Sequence, residues 1–364
     1  MSLATWPWFL ALAGLGAGFV LGFAARANHF CTMSALERAW YAGDGSGLRT
    51  WILAGATALI LTQAMQAAGM VDTAASFYIR SDFALVGAIA GGVAFGFGMA
   101  LVGTCGFGAL VRLGGGSLRS LIVLVVLGLA AMSAQKGLVA QARVVISDRN
   151  AIDVSDMGGQ SLGLIVSWWA GRDLTLVVAA GLAVALLAWI FASASYRRKP
   201  GSIATGITVG AVVAFGWWAT SLAARHSFEV VQIEAGSFVV PVADTILQVV
   251  TFTGVLPDYG VGLVLGVVAG AAACAFLKRD VRWEACDDAR ELGRHLAGGM
   301  LMGIGGVFAM GCTIGQGVTA VSAMAISAPV VLLSIMLGAR MGLAYLIEGS
   351  PLEAFKPLSR LPAE

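Results

Sequence analysis

The sequence predicts an all-α, polytopic membrane protein, and three observations carry that prediction. Hydrophobic residues make up 59% of the 364 and charged residues only 12%, whereas soluble domains carry about a quarter charged residues. The apolar residues fall in runs of roughly 20, the length a helix needs to cross a hydrocarbon layer of ~30 Å. Those runs, rich in Leu, Ala, Val and Gly, lack the polar/apolar alternation over segments of about ten residues that marks a membrane barrel. A net charge of +2 says little, because the sidedness of the charges matters more than their sum; no nucleic-acid partner is expected. The lipid bilayer is the first partner that the composition implies.

Hydropathy sets about nine spans, at 7–25, 51–70, 84–103, 118–139, 174–195, 202–222, 260–277, 296–311 and 327–347. The amino-terminal stretch MSLATWPWFLALAGLGAGFVLGFAARANHFC has no basic leading region and no clear small-residue cleavage site, so a retained first helix is expected, not a signal peptide. The apolar piece VVPVADTILQVVTF at 239–252 is too short to cross and is expected to be re-entrant or interfacial. In the first and seventh runs, Gly14, Gly18 and Gly22, and likewise Gly262, Gly266 and Gly270, recur every four residues. They share one helix face, where small residues let neighbouring helices pack closely.

Orientation follows from Lys and Arg. With the amino terminus outside, 15 of the 22 basic residues fall in inner segments, among them Arg26, Arg38, Arg112, Arg119, the run Arg197–Lys199, Lys278, Lys356 and Arg360. The outer segments hold Arg80, Lys136, Arg143, Arg149, Arg172 and Arg225, and Arg340 lies within the last span. The positive-inside rule then predicts the amino terminus out and the carboxyl terminus cytoplasmic.

An internal repeat organises the chain. A shift of 207 residues lays GGVAFGFGMALVGTCGFGALV (91–111) over GGMLMGIGGVFAMGCTIGQGV (298–318) without a gap. Gly91, Gly92, Gly96, Gly98, Cys105, Gly108 and Val111 fall on Gly298, Gly299, Gly303, Gly305, Cys312, Gly315 and Val318. GFVLG (18–22) and GLVLG (262–266) are a fainter echo. On the assigned topology the two copies run in opposite directions, so 1–139 and 202–347 are expected to be inverted repeats within a single transport domain, 1–364. Such transporters place a site where broken helices meet near the midplane.

Five cysteines, none in a CxxC pair, argue against a disulfide framework or a thioredoxin-type redox centre. Cys274 reads as an inert packing residue, and Cys286, in KRDVRWEACDDARELGR, as a reduced surface thiol on a solvated cytoplasmic loop. Cys105 and Cys312 are different: they occupy equivalent repeat positions beside glycines that interrupt a helix. There the backbone can leave the helix and present polar groups to a cavity. The candidate substrate-binding residues are therefore Cys31, Cys105 and Cys312, with Gly103, Gly106 and Gly311 at the interruptions and Gln316 after the last of them. The thiols lack local metal-ligand spacing, and no metal or cofactor is expected. Arg26 and His29 lie near a helix end, where snorkelling explains a charge. Arg340 is deeper, with Glu348, a backbone carbonyl or an anion as candidate partners.

On GFVLGFAARANHFC, GFGMALVGTCGFGALVRLGGGS and GGMLMGIGGVFAMGCTIGQG the chain resembles the YeeE/YedE family of bacterial membrane proteins, over nearly its whole length. The resemblance implies an hourglass-shaped, pseudo-symmetric helical protein of the inner membrane that takes up thiosulfate. It also implies three functional cysteines along a central path, at positions matching Cys31, Cys105 and Cys312. A small cytoplasmic sulfur-carrier (TusA-like) protein is the implied partner. Thiosulfate is a dianion whose transfer into hydrocarbon requires a lining that replaces its water. Neutral thiols are weak donors that hold a soft anion without trapping it, and helix N-termini add partial positive charge. On this reading the protein is a transporter and not an enzyme. Two alternatives stay open: transport of sulfite, sulfide or a selenium compound, and a membrane sulfurtransferase or thiol oxidoreductase.

Overall fold

A computed structural model describes residues 8–227, 230–252 and 256–355. The expected start of the first span at residue 7, and the basic residues Lys356 and Arg360, lie outside the described residues. The chain order is α1 (Phe9–Ala27), α2 (Thr32–Tyr41), α3 (Ser46–Ala67), α4 (Leu85–Val102), α5 (Gly106–Gly114) and α6 (Leu118–Lys136). Then follow α7 (Leu138–Ile146), α8 (Leu162–Ala170), α9 (Thr175–Phe191), α10 (Ala194–Arg197), α11 (Pro200–His226), α12 (Val240–Thr251) and α13 (Tyr259–Leu277). The described chain closes with α14 (Ala289–Phe308), a helix over 313–322 whose centre Gly315–Ala320 is π-helical, and α15 (Ser327–Glu348). Strand is confined, among the described residues, to the antiparallel pairing of Asp82–Phe83 with Ile152–Asp153.

Each of the nine expected spans falls on a helix. Seven stretches, built on α1, α3, α4, α6, α11, α13 and α15, are long and apolar enough to cross a membrane. The other two are α9, which has 17 residues, and α14, which opens on Arg290, Glu291 and Arg294. The protein is thus an all-α, multi-pass membrane protein. The piece at 239–252 forms the 12-residue α12, which packs on α6 and α13. It buries Pro241, Val242 and Ala243 and leaves Val249 and Val250 exposed. The segment between α6 and α9 holds α7, which buries no residue, and α8, whose Trp168 and Trp169 are exposed.

Close helix packing explains the glycines. A Cβ on Gly14, Gly18 or Gly22 would collide with the backbone carbonyls of Tyr259, Leu263 and Val267, and one on Gly262, Gly266 or Gly270 with those of Ala11, Leu15 and Phe19. The echoed segments GFVLG and GLVLG are therefore packing partners, on α1 and α13. In the same way α3 packs along α11, α4 against α14 and α15, and α14 against α6.

The α4–α14 crossing is reciprocal. A Cβ on Gly91 would meet Gly305 O at 2.6 Å and one on Gly305 would meet Gly91 O at 2.6 Å; Gly98 and Gly298 stand in the same relation, at 2.6 and 2.8 Å. These four glycines are the positions paired by the 207-residue shift.

Three helices break, and in one manner. An apolar helix ends, a residue takes positive φ (His29 at 52°, Gly103 at 77°, Met310 at 51° followed by Gly311 at 155°), and a cysteine then opens the next helix. At two of the breaks a six-to-one bond closes the end, from Phe30 N–H to Ala25 O (2.9 Å) and from Gly311 N–H to Gly306 O (2.8 Å), as in a Schellman cap.

Candidate functional site

The breaks place all three candidate cysteines at helix N-termini. Cys31 is the extended N-cap of α2. Cys105 is the N-cap of α5, and its sulfur accepts the Gly108 N–H at 3.5 Å. Cys312 precedes the helix over 313–322, and its sulfur accepts the Gly315 N–H at 3.4 Å. The first amides of a helix have no intrahelical partner and carry the positive end of its dipole. Each thiol therefore stands where an anion is favoured.

The thiols also stand together. Cys31 Sγ lies 4.0 Å from Thr104 Oγ1, and Thr32 Oγ1 lies 3.8 Å from Cys105 Sγ, which crosses the caps of α2 and α5. Cys105 is within electrostatic reach of both Cys31 and Cys312, and the Thr313 side chain faces it.

Of the cavities near this cluster, two lie at opposite ends of α4. One, of about 250 Å³, is lined by Arg26, His29, Cys31, Arg38, Thr104 and Arg112. The other, of about 270 Å³, reaches Ser237, Met310 and Gly311 and carries Arg80, Arg143 and Glu234. Ala84, just before α4, lines the second cavity and Thr104, just after it, the first; α14 runs the opposite way, ending at the second cavity with Gly306, Val307 and Phe308.

Between the cavities the structure is closed. Cys105 and Cys312 are each 1% exposed, and aromatic rings fill the space: Phe107 against Phe238 (4.9 Å), Phe30 on Trp51 (4.7 Å), and Phe30 edge-on to Phe107 (6.4 Å). Cys31, by contrast, is part-exposed.

The remaining candidates have definite places. Gly103 occupies the left-handed region at the end of α4, and its carbonyl accepts from Arg112 Nη2 at 2.9 Å. A side chain there would be strained whatever the space around it. Gly106 opens α5, and a Cβ there would meet Leu127 and the Phe238 carbonyl at 3.3 and 3.5 Å. Gly311, also at positive φ, lies against Gln316. The Gln316 side chain braces the break: its Nε2 donates to Ala309 O (2.9 Å) and Met310 O (3.1 Å), and its Oε1 accepts from Ser327 (3.3 Å).

Arg26 pairs with Asp280 at 3.3 Å, and Asn28 donates to Thr205 at 2.7 Å. Arg340 faces the rings of Trp40 and Tyr41, at 5.9 and 5.4 Å, and Glu348, one of its three candidate partners, makes no ion pair with it among the described residues. Cys274 is buried in α13, and Cys286 is part-exposed.

Sequence reasoning overlooked the hydroxyls. Thr32, Thr104 and Thr313 each adjoin a cysteine, in the pairs Cys31-Thr32, Thr104-Cys105 and Cys312-Thr313, a signal that was available. Tyr78 and Ser237 lie in segments between helices and carry no local signature.

Residues 26–341 match the family described as Sulphur transport. The chain belongs to that family. The match takes in all three breaks, both cavities' ends of α4 and α14, and most of α15. The chain is also similar to the thiosulfate transporter TsuA of Escherichia coli (strain K12), at 24% identity over 326 residues that make up 86% of this chain and 88% of the relative. This sulphur-transport family member thus presents thiols, hydroxyls and helix amides, and no charged side chain among the groups named at its closed point. Such a set can donate hydrogen bonds to an anion.

Proposed function

We propose that the protein carries thiosulfate inward across the bacterial cytoplasmic membrane, along a path through the three breaks. The observation that carries this reading is the placement of Cys31, Cys105 and Cys312 at three helix N-termini that meet where two cavities end. The terminal sulfur of the anion passes between neighbouring S–H groups, while helix dipoles offset part of the lost hydration. No covalent step is needed. Gly103, Gly106 and Gly311 shape the breaks, and Gln316 holds the last one in place. The relative's name supports thiosulfate as the cargo.

Reciprocal contacts between glycines paired by the repeat support two inverted halves, 1–139 and 202–347, since a two-fold relation makes each contact recur with its partners exchanged. Sidedness has similar support. The cavity at Cys31 is lined by residues from segments assigned inside, such as Arg26, Arg38 and Arg112, and the cavity at Gly311 by Arg80 and Arg143 from segments assigned outside. The amino terminus is then outside and the carboxyl terminus cytoplasmic. A small cytoplasmic sulfur-carrier protein of the TusA-like kind would receive the cargo at the basic inner mouth.

A sulfur-auxotrophic host supplied with thiosulfate as sole sulfur source tests the reading. Growth that depends on this protein supports it; equal growth with and without the protein refutes it.

A further inference from the structure

Two buried hydroxyls near Cys312 lack a well-formed hydrogen bond. Tyr78 and Thr313 are each 1% exposed, and neither Tyr78 OH nor Thr313 Oγ1 makes a hydrogen bond of good geometry; the nearest groups are the Ser237 hydroxyl for the first and the Cys105 thiol for the second. An unpaired buried hydroxyl is costly, and two at one helix end form a pattern. Thr313 is the first residue of the helix over 313–322 and faces Cys105. The Tyr78 hydroxyl abuts the same first turn, 2.8 Å from where a Cβ on Gly315 would sit; the missing side chain at Gly315 makes its room. Ser237 Oγ lies 3.3 Å from that same point and lines the cavity that ends at Gly311. The Tyr78 ring is held edge-on to Trp217 at 6.4 Å, and the Trp217 indole is fixed by its bond to Ser322 at 2.9 Å. The phenol is therefore aimed, not adrift.

We propose that the hydroxyls of Tyr78 and Thr313, at the positive amino-terminal end of the helix over 313–322, form an oxyanion subsite that takes the sulfonate oxygens of thiosulfate while the thiols address its terminal sulfur. This rests on thiosulfate being the cargo and divides the ion between two kinds of donor. Hydroxyls and amides suit the hard oxygens; thiols suit the soft sulfur. Ser237 gives an entering ion its first hydroxyl, at the floor of the cavity. A sulfur anion without oxygens, such as hydrosulfide, gains nothing from Tyr78 or Thr313, so the subsite selects for oxygen-bearing cargo.

The test measures thiosulfate binding to the purified full-length protein and uptake of labelled thiosulfate into vesicles, for wild type, Tyr78→Phe and Thr313→Val. Each substitution keeps the shape and removes only the hydroxyl. Binding is expected to weaken at least tenfold in each variant, with the thermal midpoint unchanged or raised because a buried polar group without a well-formed hydrogen bond has gone. Wild-type affinity and uptake in both variants overturn the subsite while leaving the cargo assignment intact. Absence of thiosulfate binding by the wild type itself overturns the cargo assignment and the subsite with it. Should Tyr78→Phe fail to fold, Thr313→Val decides alone.

Discussion

Cys105 has two roles in one atom: its sulfur caps α5 through the Gly108 amide and lies within reach of the other two thiols. The roles separate by substitution. Ser at position 105 is a good N-cap, so Cys105→Ser is expected to keep the fold and lose most uptake, since a hydroxyl is a poor partner for soft sulfur. Cys105→Ala loses the cap as well, about 1 kcal/mol, and is expected to abolish thiosulfate-dependent growth while the protein remains in the membrane. Immunoblots of membranes beside growth curves check both. Glu234, in the segment before α12, makes a pH prediction. Burial, then Asp258 at the start of α13 and Asp244 on α12, push its carboxyl from an ordinary 4.5 up to about 8, against one backbone bond from Gly260; Lys136 faces Asp244 from the end of α6. Between those two values the folded protein holds a proton that the unfolded chain releases. Stability from this group is therefore fully present below 4.5 and is lost as pH rises to about 8. Thermal unfolding across that range is expected to show a smaller fall for Glu234→Gln than for wild type.

Helices here stand or fall on missing side chains. The α1–α13 pair brings backbone against backbone at six glycines, so Gly266→Leu must push the helices apart, at a cost of about 1–3 kcal/mol for overpacking. A lower thermal midpoint in detergent, with α3–α11 undisturbed, is the expected result. The breaks depend on polar bracing instead. Gln316→Leu leaves the carbonyls of Ala309 and Met310 without their donor and is expected to reduce uptake by loosening the turn that presents Cys312; hydrogen exchange at 309–312 should rise. Much at this scale was legible. Every hydropathy run became a helix, and the glycine–cysteine blocks marked two of the three breaks, because a left-handed residue at a helix end favours glycine. The break at His29 was less visible, since a histidine there takes the same positive φ without advertising it. The segment 140–173 yielded little for a related reason: short helices such as α7 bury nothing and so leave no periodic imprint.

Across the whole molecule the repeat was readable because it is built from glycine and cysteine at fixed spacing. The closing of the path was not, since Phe30, Trp51, Phe107 and Phe238 come from four separate segments and look like ordinary membrane aromatics one by one. Tyr78 and Ser237 were hidden in the same way: only the folded chain brings them to the Cys312 turn. The crossing of α4 and α14 has a mechanical consequence. Its two reciprocal contacts, Gly91 with Gly305 and Gly98 with Gly298, are separated by about two helical turns, and a joint pinned at two points cannot rock like a see-saw. The pair is a strut. On the proposed path, passage of an ion falls to the short pieces hung on that strut, the caps of α2, α5 and 313–322 and the rings between them, and spin labels on α4 and α14 should keep their separation when thiosulfate arrives.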